Sequence, residues 1–353
     1  MRSFASDEPT RLAEIVSPLF ADQAAGWSTH LSDGGKVNLL IGANAQDDCA
    51  VFQIRGDQEL VLGSDYVRGV GFRLYELGHL NNYDIGYYLA MANFSDIAAM
   101  GAQPIALLSV IRYPRELSDN DFKSVIHGIR EACAKVGAPN VGGDIGTAER
   151  LILSASAVGV VEPGRSLLRS GARPGDRLCV SGYTGIAAAA QRYFGQTNLE
   201  GMRIASDKET ELLAAWKRPR ALVDYGRCLS ASGVVTSCQD SSDGLKAGIQ
   251  SIAALSQVGF VVDEDALPIA DVVAEVAQLR DSQLTSLVLG DSVDFQLIFT
   301  VAPGDVTALR ERLRTNDFDL FEIGTAIETP EVRLRRGDGS LDELPGKAWR
   351  HGN

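Results

Sequence analysis

Aspartates that stand beside glycine or serine, mostly at the ends of apolar strand-like runs, are the residues of this sequence that could carry chemistry. A single aspartate in such a place is most often a turn or cap residue, so one example would indicate little. Here the pattern recurs along the chain. The five places are Asp47-Asp48, Ser64-Asp65, Asn93-Phe94-Ser95-Asp96, Gly142-Gly143-Asp144 and Asp240-Ser241-Ser242-Asp243.

Carboxylates that converge on one place repel one another unless cations neutralise them. Mg²⁺ prefers hard oxygen ligands, and its usual role in enzymes is to hold substrate phosphates. The pair Gly142-Gly143 would let the backbone approach a phosphate closely. The pattern therefore indicates nucleotide chemistry assisted by several metal ions. The alternative is that some of these aspartates only cap helices, as Asp243 before Gly244 could do.

Other chemistries have weaker support in the sequence. It contains no GxxxxGK[ST] motif, which argues against a P-loop enzyme, and Gly69-Val70-Gly71 lacks the third glycine of a dinucleotide fingerprint. The four histidines are scattered and form no HExxH motif. No GxSxG elbow of a serine hydrolase is present.

Composition narrows the class of protein further. The chain has 353 residues, 33 Lys and Arg against 46 Asp and Glu, and a net charge of −13. That charge repels nucleic acid, and the most apolar run, 151–161, is too short to span a membrane. Residues 1–8 lack the apolar core of a secretory signal, and the five cysteines include no CxxC pair. We therefore expect a soluble cytoplasmic protein with reduced thiols, which binds neither nucleic acid nor membrane.

Strand-like and helix-like segments alternate, which predicts an α/β fold of α+β layers. The length favours two domains, and we place the boundary near residues 161–168, giving domains 1–163 and 164–353. The polar segment Gly195–Glu211 is expected to be a connection. The predicted strands are 37–41, 49–54, 59–64, 105–112, one near 140, 151–161, 177–181, 234–238, 260–262, 295–301 and 319–323, and the predicted helices are 84–100, 119–136, 185–193, 221–231, 245–255 and 306–313.

The order of these motifs resembles the thiamine-monophosphate kinase family. That family belongs to the superfamily of aminoimidazole ribonucleotide synthetase, selenophosphate synthetase and the hydrogenase maturation protein that dehydrates a carbamoyl group. The resemblance runs from Asp47 to Trp349. Its most specific motifs are Asn93–Ala102, Arg169–Asp176 and Asp240–Leu245.

The resemblance implies a two-domain fold like that of aminoimidazole ribonucleotide synthetase, a homodimer formed through the N-terminal strands, and ATP near the subunit junction. It implies transfer of the γ-phosphoryl group of ATP to a small acceptor, thiamine monophosphate, with Mg²⁺ as cofactor. By resemblance, the metal ligands are Asp47, Asp48, Ser64, Asp65, Asp96, Asp144, Asp240 and Asp243, of which Asp65, Asp144 and Asp243 are catalytic; the nucleotide-binding residues are Gly142, Gly143, Asp144, Arg169 and Ser242; and the acceptor-binding residues are Asp294 and Trp349.

Several positions on the acceptor side depart from the family's pattern. Gly71 replaces a histidine, Tyr88 replaces a lysine, and Ile145-Gly146 replace two hydroxyl residues. The family's GGEDYEL becomes the segment 290–297. Three alternatives therefore stay open: a different small acceptor, activation of a carbonyl or amide oxygen by ATP, and a nucleotide-binding pseudoenzyme. Tyr88 has two interpretations, packing at a domain interface or lining the acceptor pocket.

Overall fold

Two mixed β-sheets, one from each half of the chain, form the framework of this computed structural model. The structure describes residues 28–30, 36–42, 45, 47–54, 58–67, 70–195, 203–280 and 282–347. None of the helices in these ranges is long and apolar enough to cross a membrane.

The first sheet has the strand order β1-β2-β3-β4-β7-β5-β6. Neighbouring strands are antiparallel except β5 and β6, which are parallel. Its strands are β1 (Ser28–His30), β2 (Lys36–Ile41), β3 (Ala50–Gln53), β4 (Glu59–Val67), β5 (Gln103–Tyr113), β6 (Asn140–Thr147) and β7 (Ile152–Val161).

The second sheet has the order β14-β13-β10-β12-β8-β11-β9. Here too all neighbours are antiparallel except one pair, β10 and β13. Its strands are β8 (Arg177–Val180), β9 (Val235–Asp240), β10 (Gly259–Asp263), β11 (Leu297–Val301), β12 (Phe321–Ile327), β13 (Val332–Arg335) and β14 (Leu341–Glu343).

Helices cover these sheets, and a 3₁₀ turn at Glu264–Ala266 follows β10. In the described ranges the α-helices are α1 (Val70–Glu76), α2 (Asn82–Ala99), α3 (Asp119–Val136), α4 (Ile186–Phe194), α5 (Ser206–Lys217), α6 (Val223–Ser232), α7 (Leu245–Ser256), α8 (Asp271–Leu279), α9 (Leu284–Leu289) and α10 (Val306–Arg314).

Helix α2 is the element that brings the two halves together. Its apolar residues do not form a stripe on one side, and nearly all of them are buried. A helix that is apolar all round must be covered all round, and α2 contacts β4, β7 and α3 on one side and β9 and α6 on the other. Asp96, in the last turn of α2, is thereby carried to the end of β9.

The predicted α/β layers and most of the predicted elements are confirmed. The helix 119–136 has the predicted bounds: the Ser118 hydroxyl accepts a hydrogen bond from the Asp121 amide at 3.1 Å, and Gly137 ends the helix in the left-handed conformation. The prediction that Gly195–Glu211 is a connection is wrong in its last part, because α5 begins at Ser206. The sequence reading also missed α1, α8, α9, β1, β13 and β14.

Two local differences concern the candidate site. Strand β4 continues to Val67, so Asp65 lies within a strand instead of after one. Gly244, with a φ of 93°, is the N-cap of α7, so Asp243 is not.

Among the described glycines, Gly143 is the one at which an added Cβ would make the shortest contact. It has a φ of 139°, and a Cβ built on it would lie 1.7 Å from the backbone oxygen of Ser109 on β5. Gly142, its neighbour, has a φ of 150° but meets nothing within 4 Å. We expect Gly143→Ala to lower the free energy of unfolding by at least about 2 kcal/mol and Gly142→Ala to cost clearly less.

Thermal and urea denaturation of both variants without nucleotide would check this expectation. Equal stability losses would contradict it, since only Gly143 has the backbone clash in addition to the unfavourable φ.

Candidate active site

Three aspartates from separate parts of the chain form an acidic cluster. Asp48 precedes β3, Asp96 lies on α2, and Asp240 ends β9. One carboxylate oxygen of each lies within 4.8 Å of the others. The cluster therefore combines residues of the first sheet, its covering helix and the second sheet.

The side chain of Asp48 is enclosed, with only 1% of it exposed. Its Oδ1 pairs with the guanidinium of Arg169. Its Oδ2 has no hydrogen-bond partner among the described residues. A buried carboxylate oxygen without a partner is costly, so this atom indicates a ligand that binds there.

Asp47 and Asp240 have more of their hydrogen bonds satisfied. The Asp47 carboxylate accepts from the amides of Asp48 and Arg169, at 2.9 and 3.1 Å. The two oxygens of Asp240 accept from the hydroxyls of Ser95, at 2.5 Å, and Ser242, at 2.9 Å. Since each hydroxyl can rotate, these serines can hold Asp240 in place without neutralising it.

The electrostatics of the cluster are unfavourable to ionised carboxylates. Burial, with repulsion by Asp48 next, raises the pKa of both Asp47 and Asp240 from 3.8 to about 7. Burial also raises the pKa of Asp96, with repulsion by Asp240 and Asp48 adding to it. Arg169 opposes all three shifts, but one guanidinium does not balance this many carboxylates.

The residues present therefore fit a divalent cation. Clustered carboxylates with neighbouring hydroxyl groups are the hard oxygen donors that Mg²⁺ prefers. The unpartnered Oδ2 of Asp48 and the raised pKa values of Asp96 and Asp240 are what a site short of positive charge would show.

Asp65 and Asp243 lie at the border of the acidic cluster. The Asp65 amide donates to the Asn93 side chain at 3.0 Å, and its carboxylate accepts from the Tyr66 amide at 2.6 Å. Asp65 also helps to raise the pKa of Asp96. Burial of the Tyr88 hydroxyl raises its pKa, and repulsion by Asp65 and then Asp243 adds to the shift.

Tyr88 has the packing role that was one of its two interpretations, and its role in an acceptor pocket stays a prediction. Its ring stacks on Trp216 at 5.8 Å and meets the edge of Phe295 at 5.5 Å. Its phenol lies within electrostatic reach of Asp65, Asp243 and Asp240. The residue packs against aromatic rings and also borders the acidic cluster.

Ser64 does not join the other predicted metal ligands. Successive residues of a strand point to opposite faces of the sheet, and Ser64 turns away from the face on which Gly63 packs against Asp96. Its hydroxyl is hydrogen-bonded to that of Ser156 at 2.5 Å.

Asp144 is also apart from the cluster. It lies on the edge strand β6, three strands from β4, in register with Val110 and Ser154. Its side chain is 65% exposed and pairs with Arg112 at 2.6 Å. The hydrogen bond from Arg112 lowers the pKa of Asp144. Gly142 and Gly143 lie on the same strand, where Gly143 permits a close approach to Ser109.

Of the two predicted acceptor-binding residues, the structure describes Asp294 but not Trp349. Both carboxylate oxygens of Asp294 accept backbone hydrogen bonds at the start of α4, from Gly185 at 2.5 Å and Ala187 at 3.0 Å. This geometry is that of a helix cap, which fully engages the carboxylate. Trp349 lies outside the described residues.

Sequence reasoning gave no role to Ser95 or Asn93 individually, although both stand in the motif that contains Asp96. Their spacing carried a signal: on a helix, Asn93 and Asp96 are three residues apart and share a face. Asp291 also went unassigned, because an aspartate between Gly290 and Ser292 is indistinguishable from an ordinary turn residue.

Comparisons with known proteins define the class first. The family models of AIR synthase related protein match residues 46–161, as the N-terminal domain, and 173–337, as the C-terminal domain. The HypE-HypF complex shares this fold, with a TM-score of 0.68 at 19% identity over 86% of this chain and 94% of that chain. The protein thus has the two-domain AIR synthase-like fold.

Two closer relatives define the family within that class. The thiamine-monophosphate kinase of Pyrococcus abyssi is 31% identical over 268 residues, which are 76% of this chain and 79% of the relative. The structure of AaThiL complexed with AMPPCP and TMP has a TM-score of 0.74 at 27% identity, over 86% of this chain and 91% of that chain. This chain belongs to the thiamine-monophosphate kinase family and is an ATP-dependent kinase.

The raised pKa values predict how stability depends on pH. A carboxyl whose pKa is raised from 3.8 to about 7 binds protons more tightly in the folded state, so stability falls as pH rises through this range. We expect the metal-free protein to melt at a lower temperature at about pH 8 than at about pH 5, and Mg²⁺ to raise the melting temperature more at the higher pH.

Asp240→Asn provides the matched comparison for this prediction. The amide keeps an oxygen for the hydroxyls of Ser95 or Ser242 but carries no charge. Differential scanning calorimetry should show a smaller pH dependence and a smaller Mg²⁺ effect for the variant. The same pH dependence in both proteins would contradict the electrostatic account of the cluster.

Proposed function

We propose that the protein transfers the γ-phosphoryl group of ATP to the phosphate of thiamine monophosphate, giving ADP and thiamine diphosphate. An oxygen of the acceptor phosphate forms the new bond to phosphorus as the bond to the bridging oxygen of ADP breaks. The observation that carries the proposal is the acidic cluster of Asp48, Asp96 and Asp240. It supplies the charge that a polyphosphate site needs once cations are bound.

The residues that would hold Mg²⁺ are Asp48, Asp96 and Asp240, with Asp47, Asp65 and Asp243 at the border of the cluster. Bound there, Mg²⁺ would neutralise the phosphates of ATP. The predicted metal role of Asp144 stays a prediction, and it requires the Asp144 carboxylate to exchange its exposed pairing with Arg112 for a metal ion.

The chain's own groups supply hydrogen-bond donors that would position the nucleotide. The guanidinium of Arg169 lies at the cluster and can donate to phosphate oxygens. The hydroxyl of Ser242 lies at the mouth of α7, where it donates to Asp240, and by rotating it can donate to a phosphate oxygen instead. Transfer of this kind needs positioning and charge neutralisation above all, so the proposal requires no dedicated base.

The first experiment measures the products formed from ATP and thiamine monophosphate with Mg²⁺, by mass spectrometry. We expect thiamine diphosphate and ADP in equal amounts. A different result would be that ADP forms only when another small molecule is added, and that no thiamine diphosphate appears. That result would favour a different acceptor or activation of a carbonyl or amide oxygen. Tight binding of ATP with no turnover on any acceptor would favour the pseudoenzyme.

Asp65→Asn should lower kcat at least about tenfold at saturating Mg²⁺, because it removes a charge beside Asp96 while preserving shape. The melting temperature should change little. Asp319→Asn is the matched control, since Asp319 is exposed on the loop before β12. A kcat for Asp65→Asn equal to that of the control would remove Asp65 from the catalytic set.

We also propose that the protein is a homodimer through the first sheet. Helices α2 and α3 cover one face of this sheet, and Leu108 is 40% exposed on the other. The register puts Leu108 beside Ser156, which in turn lies beside Ser64. Most of the exposed large apolar side chains of the described residues lie on this sheet: Leu40, Ile105, Leu108, Val141, Ile145 and Ile152.

Leu108→Lys should therefore convert the dimer to a monomer, because a lysine on an apolar interface is left without a partner. Size-exclusion chromatography with light scattering would measure a mass near the 37.7 kDa of one chain. Ile126→Lys is the matched control, since Ile126 is similarly exposed but lies on α3. A monomeric parent protein, or a variant that remains dimeric, would refute this interface.

The five cysteines are all free thiols. They are compatible with a reducing compartment, and the cytoplasmic location stays a prediction.

A further inference from the structure

The loop 290–296 between α9 and β11 is held firmly by the elements around it. Asp294 caps α4, and the hydroxyl of Ser292 accepts from the amide of Ala188 at 3.0 Å. Phe295 is 2% exposed and has a φ of 52°, a conformation that a buried ring can keep only when its surroundings fix it. The loop therefore presents its remaining side chains in defined positions.

Asp291 lies on this loop next to the acidic cluster. A Cβ built on Gly244, the residue after Asp243, would lie 1.9 Å from the Gly290 oxygen and 3.1 Å from the Ser292 amide. The two residues that flank Asp291 thus pack directly against the turn that carries Asp243. On the other side, Gly290 approaches the backbone of Gly346 and Lys347.

The carboxylate of Asp291 differs from that of Asp294 in having no partner among the described residues. It makes no hydrogen bond and no ion pair with any residue that the structure describes, whereas Asp294 on the same loop has both oxygens engaged. It is partly buried, and burial alone raises its pKa to about 6. A partly desolvated carboxylate without a partner gains most from a cation that binds to it.

Tyr88 lies within electrostatic reach of both Asp291 and the acidic cluster. Burial raises the pKa of its phenol, and Asp65, Asp243, Asp240 and Asp291 add to that shift. The stacking of its ring on Trp216 and the edge contact of Phe295 fix its position. One small molecule that contacts Tyr88 could therefore reach the cluster with one end and Asp291 with the other.

We propose that Asp291 is a specificity residue that pairs with a positively charged group of the acceptor, beside Tyr88 and the turn that carries Asp243. This inference rests on the proposed function, because it concerns the acceptor of that reaction. Thiamine monophosphate has the required arrangement: a phosphate at one end and a permanently charged thiazolium ring beyond a short linker. A phosphate or another anion would be repelled by Asp291, so the two ends of such an acceptor have only one favourable orientation.

The experiment compares two small phosphates that differ in ring charge. The first is 4-methyl-5-(2-phosphooxyethyl)thiazole, whose ring is uncharged. The second is its N-methylated form, whose thiazolium ring carries a positive charge. Isothermal titration calorimetry measures the binding of each to the full chain with Mg²⁺ and the non-hydrolysable analogue AMPPCP. We expect the parent protein to bind the charged compound at least about tenfold more tightly.

Asp291→Asn should abolish that preference while leaving the affinity for AMPPCP unchanged. The variant should keep its fold, since it removes an unpartnered charge and not a hydrogen bond. Asp317→Asn is the matched control: Asp317 has a φ of 58°, which asparagine tolerates equally well, and lies on the loop before β12. The control should retain the full preference for the charged compound.

The outcomes separate this inference from the function on which it rests. If both compounds and thiamine monophosphate bind but ring charge has no effect, Asp291 has no such role and the proposed acceptor stands. If the preference is unchanged in Asp291→Asn, another group recognises the charge, and the inference is equally overturned. If neither compound nor thiamine monophosphate binds while AMPPCP does, the acceptor itself is wrong, and the inference is lost with it.

Discussion

Three buried carboxylates, those of Asp48, Asp96 and Asp240, have oxygens within 4.8 Å of one another, and their mutual repulsion must be overcome by the rest of the fold. Arg169 and the hydroxyls of Ser95 and Ser242 supply only part of the compensation. The remainder comes from the packing of α2, whose burial on all sides forces Asp96 against the end of β9. Apolar burial therefore stabilises a charge arrangement that would be unfavourable alone.

This constraint explains why the functional residues come from both sheets. A cluster built within one sheet could relax by a small shift of a strand or loop. Here Asp48 and Asp96 belong to the first half of the chain and Asp240 to the second, so relaxation would separate two packed layers. Such a site stays assembled before substrate arrives, which lowers the cost of ordering it during the reaction.

The sequence predicted the cluster better than its surroundings. The sequence pattern selected Asp48, Asp96 and Asp240, and one carboxylate oxygen of each lies within 4.8 Å of the others. The same pattern also selected Ser64 and Asp144, which the structure puts on the opposite face and on the edge strand. Strand register and the facing of side chains depend on long-range pairing, which local composition does not encode. Helix α5 was missed altogether because Ser206–Lys217 has a mostly polar surface and little apolar periodicity.

Asp291 and Asp294 lie on one short loop, and the structure suggests a different role for each of them than the sequence did. From the sequence alone, Asp294 fitted the family's motif and Asp291 was an ordinary turn residue. In the structure, the α4 amides engage both oxygens of Asp294, so its charge already has a partner, whereas the charge of Asp291 has none among the described residues. A carboxylate with satisfied hydrogen bonds stabilises the loop, and one without them is available to a ligand. Because the first fixes the position of the second, changes of sequence in this loop can alter acceptor preference while the acidic cluster and the fold remain the same.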